Sequence, residues 1–533
     1  MRRSYQWIAG LSLPLVLLTP LLYSAAKSSF SNMQNVVHCQ PSQVIDVHNI
    51  LDVQNAVRYA LDNGLKIKAG IKGWAGSNES SCVDAGGVQI NTEHLNAIVS
   101  MDAASQQVRV QPGIKLWDFN QETHKRARLI LPALQEYADV TLGGMLGNGT
   151  HGSSLGQASS SIQDYVLSVT YVDGRGAMQI ARGEDLDFLA TNLGVLGILT
   201  EVTLQLQPSF KVQAETSGHS DQGLADAILD LAQAHYGTSI SWFPGQRSYA
   251  LTAYDRVDDE TPGDAHNGQT ESSWWKREIF PAIFKAAHLT PDRGLMCLLE
   301  QQRYEMKTKS FYTLEFGKNV DPAVGWAHNM LYFVCRDRCP FDDLPYALEE
   351  IAIDLDRLPA FIQDAQALFA KNRACLPLNG IYFRFGKATR GALGMASGRD
   401  TAYIGMEYVR NSFGDHYPKD FDVVQELEQV LLHRYEGRPH WGKNQKAIFD
   451  QVLNKYPRAA EFEAFRKKSD PSDLFLNASY RQISGQEALK APAKNCVVDS
   501  SCYCQTDDHC PRFYRCEKGL IDEQARVCRL SHL

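Results

Sequence analysis

The 533-residue sequence predicts an α+β fold, and three observations carry that reading. Stretches with apolar residues at helical spacing alternate with short runs of period two, in an order that does not build one doubly wound parallel sheet. Two segments dense in glycine and other small residues, 73–78 and 141–154, interrupt that train. Neither G-x-x-x-x-G-K-[ST] nor a G-x-G-x-x-G opening a helix occurs, so these glycines belong neither to a P-loop nor to a dinucleotide-binding helix start. A chain of this length holds two or three domains at about 100 to 200 residues each. The net charge of -8 argues against nucleic acid or an anionic membrane surface as the main partner, and a small polar ligand fits better.

In chain order, Arg2 and Arg3 precede an apolar run from Ile8 to Leu22, followed by Ser24, Ala25 and Ala26. This is the layout of a signal peptide over residues 1–26, with cleavage expected near Ala25 or Ala26. An uncleaved anchor is the alternative, although the run is short for a span of about 20 residues and contains Pro14 and Pro20. No later segment reads as membrane-spanning, and the expected location is secreted or extracytoplasmic. The 12 cysteines suit an oxidising compartment, and Cys496, Cys502, Cys504, Cys510, Cys516 and Cys528 are expected to staple the tail. Zinc is the competing reading, but the C-x-C at Cys502 and Cys504 lacks a matching C-x-x-C. Cys335 and Cys339 can bridge locally or pair elsewhere. Of the N-x-[ST] triplets at Asn78, Asn148 and Asn477, only Asn477 is expected to carry a glycan.

Ile50, Val53, Ala56, Val57 and Ala60 predict a helix that stops at Gly64, and LKIKAGIKG after it alternates as a strand. Short strands follow near Val88 to Ile90, Ala97 to Met101 and Gln107 to Val110, then a helix from about Leu116 to Arg128. After the second glycine segment come a strand in QDYVLSVTYVDGRG, a short helix at Asp185 to Ala190 and an alternating strand through Leu206. Beyond residue 210, PFDDLPYALEEIAIDLDRL predicts a helix, GIYFRFG and YIGMEYVR predict strands, and 255–292 is expected to be a polar surface loop.

The segment TLGGMLGNGTHGSS, Thr141 to Ser154, holds five glycines in fourteen residues. Such density lets backbone press against a ligand and aim N–H groups at it, while Thr150, Ser153 and Ser154 add hydroxyl donors, so a diphosphate is the guest this chemistry suits. HWGKN at His440 to Asn444 combines two aromatic rings with a cation, a composition that plain core packing does not require. No H-E-x-x-H or EF-hand loop is present, and no metal site is expected.

Together, GWAGS, LGGMLGNGTHGSS, the train ending in LGVLGILTEVTLQLQP and the later HWGKN resemble the vanillyl-alcohol-oxidase-type flavoproteins, and within them the aldonolactone oxidases. The cysteine-rich tail after DPSDLFLN is similar to that of the plant L-gulonolactone oxidase group. The resemblance implies a two-part FAD-binding domain, 40–210 with a returning segment 436–490, a cap over the substrate at 211–435, and the tail at 494–533. It implies FAD as cofactor, a sugar lactone or polyol as substrate and dioxygen as electron acceptor.

By the same resemblance, Gly73, Trp74, Ala75, Gly76 and Ser77 form a first flavin loop. Many relatives carry a flavin-linking histidine where Gly76 stands, so the FAD is expected to be non-covalent. Gly143, Gly144, Gly147, Gly149, Thr150, His151, Gly152, Ser153 and Ser154 would contact flavin or diphosphate, with Ser153 or Ser154 near ring and substrate. His151 is open between a structural hydrogen-bonder and a catalyst. Gly197 and Ile198 match a segment near the cofactor, with ordinary core packing as the alternative. Lys443 would favour negative charge at the reacting centre, and His440 would orient substrate or act as base. Relatives place Glu-x-Arg where this chain has Tyr382 and Arg384. Arg384 keeps the charge-stabilising role, Tyr382 replaces the carboxylate, and Glu407 is a candidate to supply it. The expected reaction is oxidation of a 1,4-lactone. Oxidation or dehydrogenation of sugar alcohols or oligosaccharides is the alternative, and the non-enzymatic alternative is a secreted binding protein whose tail docks on a partner.

Overall fold

The computed structural model describes residues 30–31, 37–70, 80–132, 137–156, 159–267, 274–289, 293–309, 312–314, 318–331, 346–409, 417–487, 492–498 and 500–531. The expected signal segment, the first small-residue loop with Gly73, Trp74, Ala75, Gly76, Ser77 and Asn78, and Cys335 and Cys339 lie outside these residues. Three sheets position the site. The smallest is parallel, with Val88–Asn91 between Gln43–Asp46 and Ile67–Ala69. The helix Ile50–Asp62 packs on it because Val53, Ala56, Val57 and Ala60 form one buried stripe, and Asn49 caps its start by accepting from the N–H groups of Leu51 and Asp52. The second sheet is antiparallel, in the order Met178–Ala181, Val166–Val172, Ile198–Gln205, Gln107–Val110, Ile98–Asp102. Segments late in the chain complete both cores: Trp441, Phe449, Tyr456, Phe462 and Tyr480 pack with the five-stranded sheet, and Leu474 and Phe475 with the parallel one.

The third sheet has eight antiparallel strands, Ala323–Trp326, Lys211–Ser220, Ser248–Val257, Gly237–Phe243, Ile381–Gly386, Thr401–Val409, Tyr346–Asp354 and Arg438–Pro439, in that order. Its two faces differ sharply. Ile240, Trp242, Ile381, Phe383, Ile404 and Ile351 share one face and bury against the helices Leu224–Gln233 and Leu358–Asn372. Register puts Ser239, Ser241, Tyr382, Arg384, Tyr403 and Glu350 on the opposite face. Gly405 lies directly between Tyr382 and Glu350, so no side chain separates them on the intervening strand.

Four local expectations are corrected. The stretch read as a helix at PFDDLPYALEEIAIDLDRL is, where described, the strand Tyr346–Asp354, with a helix beginning only at Leu358. Glu349 and Glu350 favour helix as free residues, but both are buried with partners here, and tertiary pairing overrides propensity. The loop expected over 255–292 contains the end of the strand Ser248–Val257 and the helix Trp274–Leu289, seated by buried Phe284 and Ala287. The second glycine segment is a short helix, Leu142–Asn148, because Leu142, Met145 and Leu146 are buried together, and Gly149 closes it at φ 63°. Asn477 is not an acceptor for a glycan: its amide donates to the carbonyls of Cys82 and Ser80 at 2.8 and 3.2 Å, and its oxygen caps Tyr480 N–H.

The tail forms three disulfides, Cys496–Cys502, Cys504–Cys516 and Cys510–Cys528, which leaves no thiolate there for zinc. Two more, Cys39–Cys82 and Cys297–Cys375, lie in the body. The tail covers the helix Phe421–His433: Arg529 pairs with Glu426 at 2.8 Å and Asp422 at 3.2 Å, and Ile521 N–H donates to Glu426 at 2.6 Å. Since Glu426 is fully buried, Arg529→Ala is expected to destabilise the protein by about 3 kcal/mol, read as a lower midpoint in urea unfolding; an unchanged midpoint would show the tail to be an appendage.

Candidate active site

Three segments deliver their side chains to one carboxylate: the strand Ile381–Gly386, the HWGKN stretch and the end of the glycine segment. Glu350 is 2% exposed, and its Oε2 accepts from Lys443 Nζ at 3.0 Å and from the Arg384 guanidinium, while Oε1 lies 2.8 Å from His151 Nε2. Lys443 is brought there by HWGKN, which clamps the edge of the Tyr346–Asp354 strand. Asn444 Nδ2 donates to Glu350 O at 2.9 Å, Asn444 Oδ1 accepts from Glu350 N at 2.8 Å, and His440 N donates to Glu350 O at 2.9 Å. Trp441 anchors the clamp from the other side, donating to Leu393 O at 2.7 Å and stacking on Tyr456. His151 is fixed by stacking on Tyr403, with ring centroids 3.4 Å apart.

The glycine helix reaches the same place by its C-terminal extension. Ser154 N–H donates to Phe385 O at 2.9 Å and Phe385 N–H to Ser153 Oγ at 3.2 Å, stitching this segment to the strand that carries Tyr382 and Arg384. The hydroxyls of Ser153 and Ser154 donate to the carbonyls of Thr238 and Tyr236, so the protons expected to face an anion are held by backbone. The N–H groups of Gly143, Thr150 and Gly152 likewise bond to Pro112 O, Met145 O and Ser160 O. Gly197, at φ 145°, is set by packing: a Cβ there would lie 2.6 Å from Val172 O, and Ile198 after it is buried in the core of the parallel sheet. Glu407 accepts from Asn379 Nδ2, and the carboxylate that meets Arg384 is Glu350, on the far side of Gly405.

Burial works against a charge on Glu350, but Arg384, then Lys443 and His151, outweigh it and hold the carboxyl well below its ordinary range. Burial lowers the pKa of His151 against the opposing pull of Glu350, and lowers that of His440 much further, with Lys443 adding to it. His440 is therefore neutral at pH 7. Its Nδ1 accepts Gly442 N–H at 3.0 Å, which places the ring proton on Nε2, so this histidine offers a donor and the orienting role suits it better than that of base. Two cations against one carboxylate leave the cluster with one positive charge in excess.

Residues 202–483 match the family described as D-arabinono-1,4-lactone oxidase. The chain belongs to this family. Residues 41–182 match an FAD binding domain, and the protein is an FAD-dependent oxidoreductase of the aldonolactone oxidase family. Among relatives, probable L-gulonolactone oxidase 6 of Arabidopsis thaliana is 26% identical over 92% of this chain and 87% of its own length. L-gulonolactone oxidase 5 of the same plant is 27% identical over 84% of this chain and 82% of its own, and L-gulonolactone oxidase of Mus musculus 23% over 85% and 98%. Among solved structures, cholesterol oxidase from Brevibacterium sterolicum superposes with a TM-score of 0.68 at 16% identity, covering 89% of this chain and 100% of that one. A BBE-like protein of Physcomitrella patens gives 0.56 at 14%, covering 85% and 94%, and both likenesses show a shared fold.

The residues present fit the family's FAD. Gly144 and Gly147, three apart on one helix, present a face without side chains: a Cβ on Gly147 would meet nothing within 4 Å, and one on Gly144 only the Thr141 hydroxyl. Lys68 adds charge. It is 3% exposed on the strand that leads to the first small-residue loop, donates to Leu193 O at 3.0 Å, and its Nζ would lie 3.3 Å from a Cβ on Gly194. Burial lowers its pKa to about 8 against the pull of Asp84, so it stays cationic at pH 7, a charge that suits a diphosphate. Sequence reasoning missed both Lys68 and Glu350. LKIKAGIKG carries three lysines and nothing in it singles out Lys68; Ile351 and Ile353, alternating after the pair of acids in ALEEIAID, are the signal that could have found Glu350.

Replacing Glu350 by Gln removes the carboxylate that pairs with buried Arg384 and partly buried Lys443. Glu350→Gln is expected to destabilise the protein at pH 7 by about 3 to 5 kcal/mol. A carboxyl depressed in the folded state contributes stability above its unfolded pKa of about 4.3 and loses it as pH falls through the folded value, so the variant's deficit should shrink below pH 4. Urea unfolding at pH 7 and pH 3.5 measures both; a deficit independent of pH would assign the loss to packing alone.

Proposed function

We propose that this protein oxidises a sugar-derived 1,4-lactone of the L-gulono-1,4-lactone kind at a carbon bearing a hydroxyl, that dioxygen takes the electrons and hydrogen peroxide leaves, and that it works outside the cytoplasm with FAD held non-covalently. The observation that carries the reading is the polar sheet face, where hydroxyls of Ser239, Ser241 and Tyr382 lead to the paired cations Arg384 and Lys443. Hydroxyl-bearing walls suit a polyol ring, and the excess positive charge suits an oxygen that becomes negative as its carbon is oxidised. FAD, when bound, supplies the hydride acceptor and the route of electrons to oxygen. The glycine face of Leu142–Asn148 and the Lys68 ammonium would hold it. Tyr382 and Arg384 orient the substrate, Lys443 stabilises the developing charge, Glu350 fixes the two cations, and neutral His440 donates through Nε2.

Five disulfides among the described residues support an oxidising compartment, and the apolar run after Arg2 and Arg3 supports export. Glycine at position 76 supports a dissociable flavin. Acid precipitation of the purified protein should leave yellow colour in the supernatant, and colour retained in the pellet would overturn the non-covalent reading. L-Gulono-1,4-lactone should bleach the flavin anaerobically and release peroxide in air; peroxide from sugar alcohols but from no lactone would select the polyol alternative that Tyr382 motivates. Lys443→Met is expected to lower kcat by about a hundredfold, the scale of removing one charge-stabilising donor.

A further inference from the structure

The hollow over the polar sheet face runs on past the cations. Tyr382 sits opposite Ser241 on the next strand, Ser239 of that strand sits opposite Thr252 on the one beyond, and all four line the hollow with Arg384. With strands about 4.8 Å apart, its floor from the Arg384 strand to the Thr252 strand is about 10 Å across. Asn267 and Leu331 line it as well, and Asn267 arrives from the far side. Ala265 N–H donates to Val324 O at 2.9 Å, on the strand Ala323–Trp326 that ends the sheet beyond the strand carrying Thr252, and Asn267 follows two residues later. Arg384 and Asn267 therefore stand toward opposite ends of one hollow.

The body of the protein fixes where Asn267 sits. Ala265 is buried with Val212, Ala214 and Ala323, and Asn267 pairs with Tyr312 in a small antiparallel sheet. Its side chain is incomplete: Asn267 is 5% exposed, and its Oδ1 has no hydrogen-bond partner among the described residues. Burying an amide oxygen without a donor is costly, and in the wall of a ligand hollow the ligand is the natural source of that donor.

The chemistry of a 1,4-lactone of six carbons decides which group donates. Its ring hydroxyls lie near the reacting carbon, and its side chain ends in a primary hydroxyl. From a ring carbon held at Arg384 and Lys443 to that last oxygen, five bonds of about 1.5 Å reach about 6 Å, and the guanidinium and amide side chains cover the rest of the span. A hydroxyl can donate to Oδ1 and accept in return, and apolar Leu331 suits the methylene that carries it.

We propose that Asn267 binds the terminal hydroxyl of the lactone side chain and selects substrates that carry it. The inference rests on the lactone-oxidase reading and names a specificity-determining residue within it; the chemistry at the reacting carbon is unchanged.

The test compares L-gulono-1,4-lactone with its 6-deoxy analogue, which differs by the one oxygen in question. The second-order rate constant of anaerobic flavin bleaching is measured for each in the native protein, in Asn267→Leu, which keeps the shape without the acceptor, and in Asn267→Asp, which keeps the oxygen. The ratio of the two lactones is read within each protein, so a loss of folded material cancels. The native protein should favour the hydroxylated lactone by about tenfold or more. In Asn267→Leu the ratio should fall to about one, and in Asn267→Asp it should stay well above one. Equal rates for the two lactones in the native protein, or the same ratio in native protein and Asn267→Leu, overturns the assignment of Asn267 and leaves the lactone-oxidase reading intact. Bleaching by neither lactone overturns both.

Discussion

The site depends on one buried carboxylate. Glu350 draws Arg384 from the neighbouring region of the sheet, Lys443 from the HWGKN clamp and His151 from the end of the glycine helix, and without it these groups have no common partner. Burying three ionisable groups this way is a poor route to stability, because desolvation offsets most of the attraction. Its effect is positional. Each cation is held toward one carboxylate oxygen by its bond to Glu350, and the cluster keeps one positive charge in excess.

That carboxylate can sit where it does because the eight-stranded sheet separates its two duties by face. Residues of alternate parity fill the helix-backed core, and the others line the polar hollow. The strand Ile381–Gly386 carries both in six residues: Ile381, Phe383 and Phe385 pack inward while Tyr382 and Arg384 face the hollow. Gly405, in the strand between, keeps the path from Tyr382 to Glu350 clear. On the opposite side of the strand bearing Glu350, the preceding Glu349 accepts from Tyr408 OH and Gln445 N–H, Gln445 bonds Glu428, and Tyr503 of the tail donates to Glu428 at 3.3 Å. The stapled tail thereby reaches the segment that holds Lys443.

Much of this was legible from the chain alone, and the reasons it was or was not are local. IYFRFG alternates, so its strand and the direction of Arg384 could be read; HWGKN declared itself by composition; six cysteines in a short tail declared disulfides. Three features hid. Glu350 sits among Ala, Leu and Glu, residues whose intrinsic preference is helical, and only cross-strand partners far along the chain make a strand of them. Lys68 looks like the solvent-facing member of an alternating strand, and its burial depends on the Leu193 carbonyl. The glycines of 141–154 suggested a loop, whereas Leu142, Met145 and Leu146 bury enough surface to hold a helix despite them.

The partners gathered at Glu350 lie far apart in sequence, with His151 199 residues away and Lys443 93. Contacts of such separation close large loops and form after local helices and hairpins. During refolding, helical signal and hydrophobic burial therefore return first, and catalytic competence returns only when the last long-range contact closes. In this protein turnover reports completion of the whole chain's topology, and a partially folded form can bury its cores yet hold no site at all.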